Sequence, residues 1–223
     1  MFDDRGWAVR AAEFTHRLSG RPGARIVAAE LAPPLEPAEV DRLQSAMGRL
    51  LPGVLRRFLE RGSGALDCRY SFHPGADGTE RERIAAWFPG LTSIYGGPRL
   101  MARELPDLAR SAAQWASETW IAEDPAERAT WEGALPIIGL DNGDFLALDV
   151  RSEEDDPPVV YLAHDDGSVL LALSMTAFLT AWEAMGYVGP EIWLLGAFRG
   201  EEGLLEGEGM MARELRRMLA PGR

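Results

Sequence analysis

The amino-acid sequence predicts an α+β fold, with helices packed around a central, mostly antiparallel sheet of about four to six strands. Patterns typical of helices dominate both ends of the 223-residue chain, whereas residues 133–185 contain several apolar runs typical of strands. Short loops join these runs, and they favour antiparallel pairing because parallel strands need a long crossover. With 46% apolar residues the chain can bury a sizeable core, so we expect a single domain over residues 1–223.

The first third of the chain alternates between helix and strand patterns. Residues 7–18 show helical spacing of apolar side chains, and residues 25–31 favour a strand. Residues 36–50 and 52–60 return to helical spacing. Each begins beside a proline, which suits a first helical turn because its missing N–H has no partner there. Residues 66–72 alternate between apolar and polar side chains, as a half-buried strand does.

The rest of the chain is helical on both sides of the strand-rich segment. Residues 75–97 show no clear pattern apart from a short helix near the middle, and residues 101–119 have clear helical spacing. After the strands, residues 174–185 predict an amphipathic helix with Ser174 as its cap. A last helix is predicted over residues 211–219.

The clearest turn in the strand-rich segment is Asp141-Asn142-Gly143-Asp144, which two apolar runs flank. Asn142-Gly143 is typical of a two-residue hairpin turn, in which both positions have a positive φ. The alternative is a metal loop, with ligands from the acids and the histidine of this region: Asp141, Asp144, Asp149, His164, Asp165 and Asp166. Asp144 and Asp149 would point to opposite faces of one strand, so we favour the turn and predict no metal and no cofactor.

Charge limits the classes of partner. The chain has 23 arginines, no lysine and 35 acidic residues, for a net charge of −12. A nucleic-acid partner needs a basic face, so we predict none. An acidic surface attracts basic proteins and raises their encounter rate, although the charge could also serve solubility alone.

Cys68 is the only cysteine, which excludes an intrachain disulfide and a cysteine-based zinc site. A free thiol suits a reducing compartment, so we expect a cytoplasmic protein. The longest uncharged run, residues 167–182, is shorter than the roughly 20 residues of a membrane span. We therefore predict no membrane segment.

The sequence does not indicate a catalytic centre. It lacks the Gly-x-Ser-x-Gly nucleophile motif, and its three histidines lie in unrelated contexts. One enzyme hypothesis stays open, a hydrolase in which His164 and Asp165 act beside a carboxylate. The preferred hypothesis is a binding surface made by acidic loops of one sheet region and one aromatic side chain: Asp141, Asp144, Glu153, Glu154, Asp155, Asp156, Asp165, Asp166 and Trp193.

Several short motifs follow one another in a fixed order. They are Leu35-Glu36-Pro37, Leu51-Pro52, Phe58-Leu59, Leu135-Pro136-Ile137-Ile138, Gly143-Asp144, Leu148-Asp149, Pro158-Val159-Val160-Tyr161, Leu173-Ser174 and Phe178-Leu179 with Trp182. Over about residues 35–185 this order resembles the Smi/Knr cell-wall-regulator family of the SUKH superfamily. The sequence departs from the family at Arg61-Gly62-Ser63-Gly64, where an Asn-Gly-Gly turn is usual.

The resemblance implies a non-enzymatic α+β domain that binds other proteins, here with helical extensions on both sides. Bacterial relatives look like immunity proteins that neutralise a toxin, and fungal relatives look like regulators of cell-wall synthesis. No catalytic residue belongs to the family pattern. We therefore expect an immunity-type protein with a basic toxin as its partner, or else a regulatory scaffold, and the sequence does not indicate an oligomeric state.

Overall fold

The computed structural model describes residues 2–75 and 78–220. Ala76 and Asp77, which belong to the segment 75–97 without a clear sequence pattern, lie outside the described residues. The helices of the described residues are α1 (Asp4–Leu18), α2 (Pro37–Met47), α3 (Gly53–Arg57), α4 (Thr79–Trp87), α5 (Leu105–Glu118), α6 (Pro125–Glu132), α7 (Met175–Ala184), α8 (Ile192–Leu195) and α9 (Met210–Leu219). The strands are β1 (Ala24–Ile26), β2 (Glu30–Leu31), β3 (Ala65–Asp67), β4 (Tyr70–Phe72), β5 (Ile94–Gly96), β6 (Arg99–Met101), β7 (Ala134–Gly139), β8 (Phe145–Asp149), β9 (Val159–Leu162) and β10 (Val169–Ala172). The predicted α+β class is confirmed.

The largest sheet is an antiparallel meander with the strand order β10-β9-β8-β7. Alternate side chains of β8 enter different hydrophobic clusters. Phe145 and Ala147 pack with residues of α5 and α6, whereas Leu146 and Leu148 belong to the main core. Both faces of β7, β8 and β9 are covered, which explains their continuous apolar runs, whereas Leu170 of the edge strand β10 is 41% exposed.

Two smaller antiparallel sheets have the strand orders β1-β4-β5 and β2-β3-β6. The chain segments that pass from one sheet to the other bend at a common kink. The predicted strands over residues 25–31 and 66–72 are each divided between these two sheets, so the prediction of two continuous strands was wrong. At the kink, the carbonyl of Arg69 accepts hydrogen bonds from the N–H groups of both Val27 and Ala28. Regular pairing cannot continue where one carbonyl serves two donors of the neighbouring strand.

The third chain segment that passes from one sheet to the other runs from β5 to β6, and Gly97 lies at its bend. Its φ is +104°, a conformation that favours glycine. A Cβ atom at this position would lie 1.9 Å from the carbonyl oxygen of Cys68. The backbones therefore approach more closely than any residue with a side chain would allow.

Two of the predicted helices end differently in the structure. α2 ends at Met47 because Gly48 adopts a left-handed φ of 65°. Leu50, the last residue of the predicted helix, lies beyond this end and is 78% exposed. The helix predicted over residues 52–60 begins as α3 and continues as a π-helical turn, Phe58–Gly62.

Both terminal helices contribute to the main hydrophobic core. Trp7 and Ala11 of α1 are buried in the same cluster as Leu215 and Leu219 of α9. The indole N–H of Trp7 donates a 2.9 Å hydrogen bond to the carbonyl of Leu179 in α7. The extensions on both sides of the central segment thus pack against it.

Cys68 lies at the kink and is fully buried, as its alternating strand pattern predicted. Burial raises the pKa of its thiol to about 11. Since the thiolate is the reactive form, we expect folded protein to react with a thiol reagent at pH 8 at least tenfold more slowly than protein in guanidinium chloride. Comparable rates in an absorbance assay with Ellman's reagent would contradict this.

Candidate functional site

The acidic loops of the four-stranded sheet lie at two opposite ends of it. In an antiparallel meander, successive loops alternate between ends. The loops over residues 140–144 and 163–168 therefore share one end, here called the hairpin end, and the loop over residues 150–158 lies at the other end. β8, which joins the two ends, has five residues and spans roughly 17 Å. The expectation of one acidic cluster is corrected to two separate groups of acids.

Asp144 at the hairpin end is buried, with 2% exposure. One carboxylate oxygen accepts hydrogen bonds from the backbone N–H of His164, at 2.8 Å, and lies 2.7 Å from its Nδ1 atom. The other accepts from the hydroxyl of Tyr161 and the side-chain amide of Asn142. Asp144 therefore joins the two loops of this end from inside and is not available to a partner, which corrects its inclusion among the surface acids.

The ionisation of Asp144 follows from these contacts. Burial alone would raise the pKa of the carboxyl group, but the donors from Tyr161, His164 and Asn142 outweigh burial and lower it below its ordinary value of 3.8. Conversely, burial and the neighbouring carboxylate raise the pKa of the Tyr161 hydroxyl. Asp144 is thus an ionised acceptor and Tyr161 a neutral donor.

The turn before Asp144 has three residues rather than the two predicted. Leu140 N–H donates to the carbonyl of Asp144, and Gly143 N–H donates to the carbonyl of Leu140. Gly143 has a φ of +95°, whereas Asn142 is not among the described residues with a positive φ. Asn142 instead stabilises the turn through its side chain, whose oxygen accepts a hydrogen bond from the backbone N–H of Asp144. The hairpin is confirmed, and its turn type is corrected.

His164 is held on several sides. Its ring lies 4.9 Å from that of Trp115, and its carbonyl accepts a hydrogen bond from the indole of Trp120. Asp144, His164 and Asp165 bring three potential metal-ligand atoms within 4.8 Å of one another. Both oxygens of Asp144 already accept hydrogen bonds, however, so this geometry is well explained as a structural link between the two loops.

Asp141, Asp165 and Asp166 are the exposed acids of the hairpin end. Asp166 also accepts a hydrogen bond from the N–H of Gly167, which shapes its own turn. No ion pair joins any of these three to a cation among the described residues. They leave a net negative charge on this end of the sheet.

The acids at the other end contribute partly to the fold. Asp156 accepts a hydrogen bond from the N–H of Thr176 in the first turn of α7, and the carbonyl of Asp155 accepts from Val54. Glu153, Glu154 and Asp155 are exposed. This loop therefore docks on the starts of two helices and presents three acids to solvent.

A cleft of about 590 Å³ opens beside the hairpin end. Its walls come from the kinked sheets, the hairpin loop and α8, and they include Tyr95, Asp141, Glu191 and Trp193. Trp193 is 48% exposed. The structure thus brings Trp193 and Asp141 together, although they are far apart in the sequence, whereas no sequence pattern indicated Tyr95 or Glu191.

Two arginines line the same cleft, but each already has acidic partners. Arg69 makes a two-pronged ion pair with Asp67, at 2.7 and 2.8 Å, and Arg99 makes one with Glu104, at 2.6 Å for both bonds. Asp67 also lies 3.8 Å from Arg99. The arginine charges are therefore compensated within the fold.

Glu191 is the partly buried acid of the cleft, whereas Asp141 is exposed. Its Oε2 atom is buried without a hydrogen-bond partner among the described residues. Burial raises the pKa of its carboxyl group and outweighs hydrogen bonds from its own backbone N–H and from the Tyr95 hydroxyl, which lower it, and the negative charges of Asp141 and Asp144 raise it further. Burial also raises the pKa of the nearby Tyr95 hydroxyl, and Glu191 adds to that effect.

Comparison of the sequence with known protein families identifies a match. Among the described residues, no helix combines the length and apolar character that a membrane crossing requires. No curated protein matches the chain. The sequence model of the SMI1 / KNR4 family (SUKH-1) matches residues 34–181, from just before α2 to within α7, and so covers well over half of the chain. The chain belongs to the SMI1 / KNR4 family (SUKH-1).

Proposed function

We propose that this chain is a non-enzymatic binding module of the immunity type, which neutralises a basic protein toxin in the cytoplasm by occupying its surface. The observation that carries the proposal is the hairpin end, where Asp141 and the half-exposed Trp193 line one cleft and two further exposed acids, Asp165 and Asp166, lie at the same end of the sheet. Family membership supports a SUKH-type module that contacts other proteins. The buried free thiol of Cys68 is compatible with a reducing compartment.

Charge and an aromatic anchor make different contributions to such an interface. Complementary charge raises the association rate with a basic partner. A tryptophan in a concave surface contributes a large apolar area and is a common hot spot of binding energy. The hairpin end combines the two, whereas the opposite end offers acids on a loop that also docks two helix starts.

Two variants with the same change of net charge test which end matters. The first is the hairpin-end variant, Asp141→Asn, Asp165→Asn and Asp166→Asn. Its matched control is the opposite-end variant, Glu153→Gln, Glu154→Gln and Asp155→Asn. Where a toxin gene lies beside this one, its product serves as the partner, and we expect the hairpin-end variant to slow association about tenfold or more at low salt and the control to have a much smaller effect.

Surface plasmon resonance at two salt concentrations gives both rates. Association of the wild type should slow as salt rises, because screening weakens long-range attraction. Equal effects of the two variants, or association that does not depend on salt, would contradict the proposal. Tight binding that leaves the toxin active would point to the alternative, a regulatory scaffold.

A further inference from the structure

The cleft beside the hairpin end has the features of a pocket for one side chain of a partner. Tyr95 from β5 and Trp193 from α8 contribute aromatic rings to its walls. Asp141 from the hairpin loop and Glu191 contribute carboxylates. Aromatic faces and carboxylates together are the groups that bind an organic cation, through the negative face of the ring and through ionic hydrogen bonds.

The charges in the cleft favour a cation over an anion. Arg69 and Arg99 are compensated by their bonds to Asp67 and Glu104. By contrast, neither Asp141 nor Glu191 forms an ion pair among the described residues. An anionic ligand would face two unpaired carboxylates, whereas a cation would face two compensated arginines.

Although the Tyr95 hydroxyl interacts with the Glu191 carboxyl group, one oxygen of that group, Oε2, remains without a hydrogen bond among the described residues. Buried polar atoms almost always have a hydrogen-bond partner, and a carboxylate without one is costly. Oε2 of Glu191 is such an atom, and it belongs to a residue in the wall of the cleft. A ligand with several N–H donors in the cleft would satisfy it once the Glu191 side chain turns toward the cleft.

We propose that this cleft receives an arginine side chain of the protein partner, stacked on Trp193 and hydrogen-bonded to Glu191 and Asp141. This inference rests on the proposed function and names the chemistry that the site recognises. A guanidinium group is planar, stacks on aromatic rings and carries five N–H donors in a fixed fork, so it can serve two carboxylates at once. An ammonium group is more strongly hydrated and gives no such stacking, so lysine fits the cleft less well.

A small probe tests the pocket without the partner. Nα-acetyl-arginine amide is titrated into ¹⁵N-labelled protein while the indole N–H signal of Trp193, assigned with Trp193→Phe, is followed by NMR. We expect a saturable shift with a Kd on the order of millimolar. Nα-acetyl-citrulline amide, which has nearly the same shape but no charge, should bind at least tenfold more weakly.

Variants separate a specific pocket from general attraction to an acidic protein. Glu191→Gln keeps the shape of the side chain and should lower the affinity for the arginine probe about tenfold. Glu154→Gln at the opposite end should leave that affinity unchanged. Thermal unfolding confirms that Glu191→Gln is folded. As a second readout, the arginine probe should lower the pKa of Glu191, measured from its side-chain carboxyl ¹³C shift, because a bound cation favours the charged form.

Each outcome decides the inference separately from the proposed function. Equal binding of arginine and citrulline amides, or no saturable shift of the Trp193 signal, would overturn the pocket. If the toxin still bound in a salt-dependent manner, the proposed function would stand with a different contact. If the arginine probe bound as expected but the toxin did not bind, the pocket would stand and the immunity role would fall.

Discussion

Trp7→Ala is expected to lower the free energy of unfolding by about 4 kcal/mol, the range for removal of a large buried aromatic side chain. Trp7 is 1% exposed and packs edge-on against Phe58 and Tyr187, with ring centroids 5.9 and 5.6 Å apart. Its ring also lies 6.5 Å from that of Trp182. The substitution removes these contacts and leaves a cavity that rigid neighbours cannot fill.

This substitution also tests the expectation of a single domain. Trp7 and Tyr187 lie outside the segment matched by the family, residues 34–181, whereas Phe58 lies inside it. If the extensions and the matched segment unfold together, the variant should show one cooperative transition with a melting temperature lowered by roughly 8 to 16 °C. Two transitions, with the larger at the wild-type temperature, would contradict a single domain.

The matched control is the same substitution at an exposed tryptophan. Trp193 is 48% exposed, so Trp193→Ala should change stability by less than about 1 kcal/mol. Near-ultraviolet circular dichroism follows both variants through thermal unfolding. A similar loss of stability in both would show that burial of the ring is not the cause.

Local patterns predicted the four-stranded sheet because its order follows the chain. Each strand of β7 to β10 pairs with the next one in sequence, through short loops. Periodicity and turn signals are therefore sufficient to place them. The helices α1, α5, α7 and α9 were found for the same reason, since the apolar stripe of a helix is local information.

The kinked sheets could not be predicted because their cause lies in distant contacts. The division of residues 66–72 depends on the backbone of Gly97 touching Cys68 and on pairing with residues 24–31. No property of residues 66–72 alone indicates that the strand changes sheets at Arg69. β5 and β6 were missed in the same way, because each pairs only through three residues with partners far along the chain.

The candidate site shows the same limit. The sequence indicated which acids lie on loops, but the assignment of those loops to two ends needed the strand order. Asp144 was misjudged because acidic composition predicts exposure, whereas its burial depends on donors from Tyr161 and His164, 17 and 20 residues away. The sequence could not indicate Glu191 as a site residue, because a single acid near the C-terminus belongs to no distinguishing pattern.

Asp144→Ala is expected to lower the free energy of unfolding by about 3 kcal/mol. The cause is the loss of an acceptor for buried donors, not the loss of apolar contacts. The carboxylate serves donors from Asn142, Tyr161 and His164, and its removal leaves the buried Tyr161 hydroxyl without that acceptor. Removal of one member of a buried, charged network costs more than the network contributes, because the remaining groups stay desolvated. The loss should appear as a lower midpoint in urea unfolding.

Asp144→Asn separates the charge from the shape and predicts a dependence on pH. The folded-state pKa of Asp144 lies below the ordinary value of 3.8, so the charged form stabilises the folded protein. That contribution is present above about pH 4 and is lost as the pH falls through the folded-state pKa. The stability difference between wild type and Asp144→Asn should therefore be largest near neutral pH and shrink on acidification.

The control for this pH dependence is Asp166→Asn, which removes the same charge from an exposed position at the same end of the sheet. Its stability should stay within about 0.5 kcal/mol of the wild type across the range. A difference for Asp144→Asn that stays constant down to pH 2 would mean that the carboxylate contributes through shape alone. The side chain of Asp144 stabilises the turn that positions Asp141. Asp144→Ala should therefore also lower the affinity for the arginine probe, even though Asp144 itself is buried.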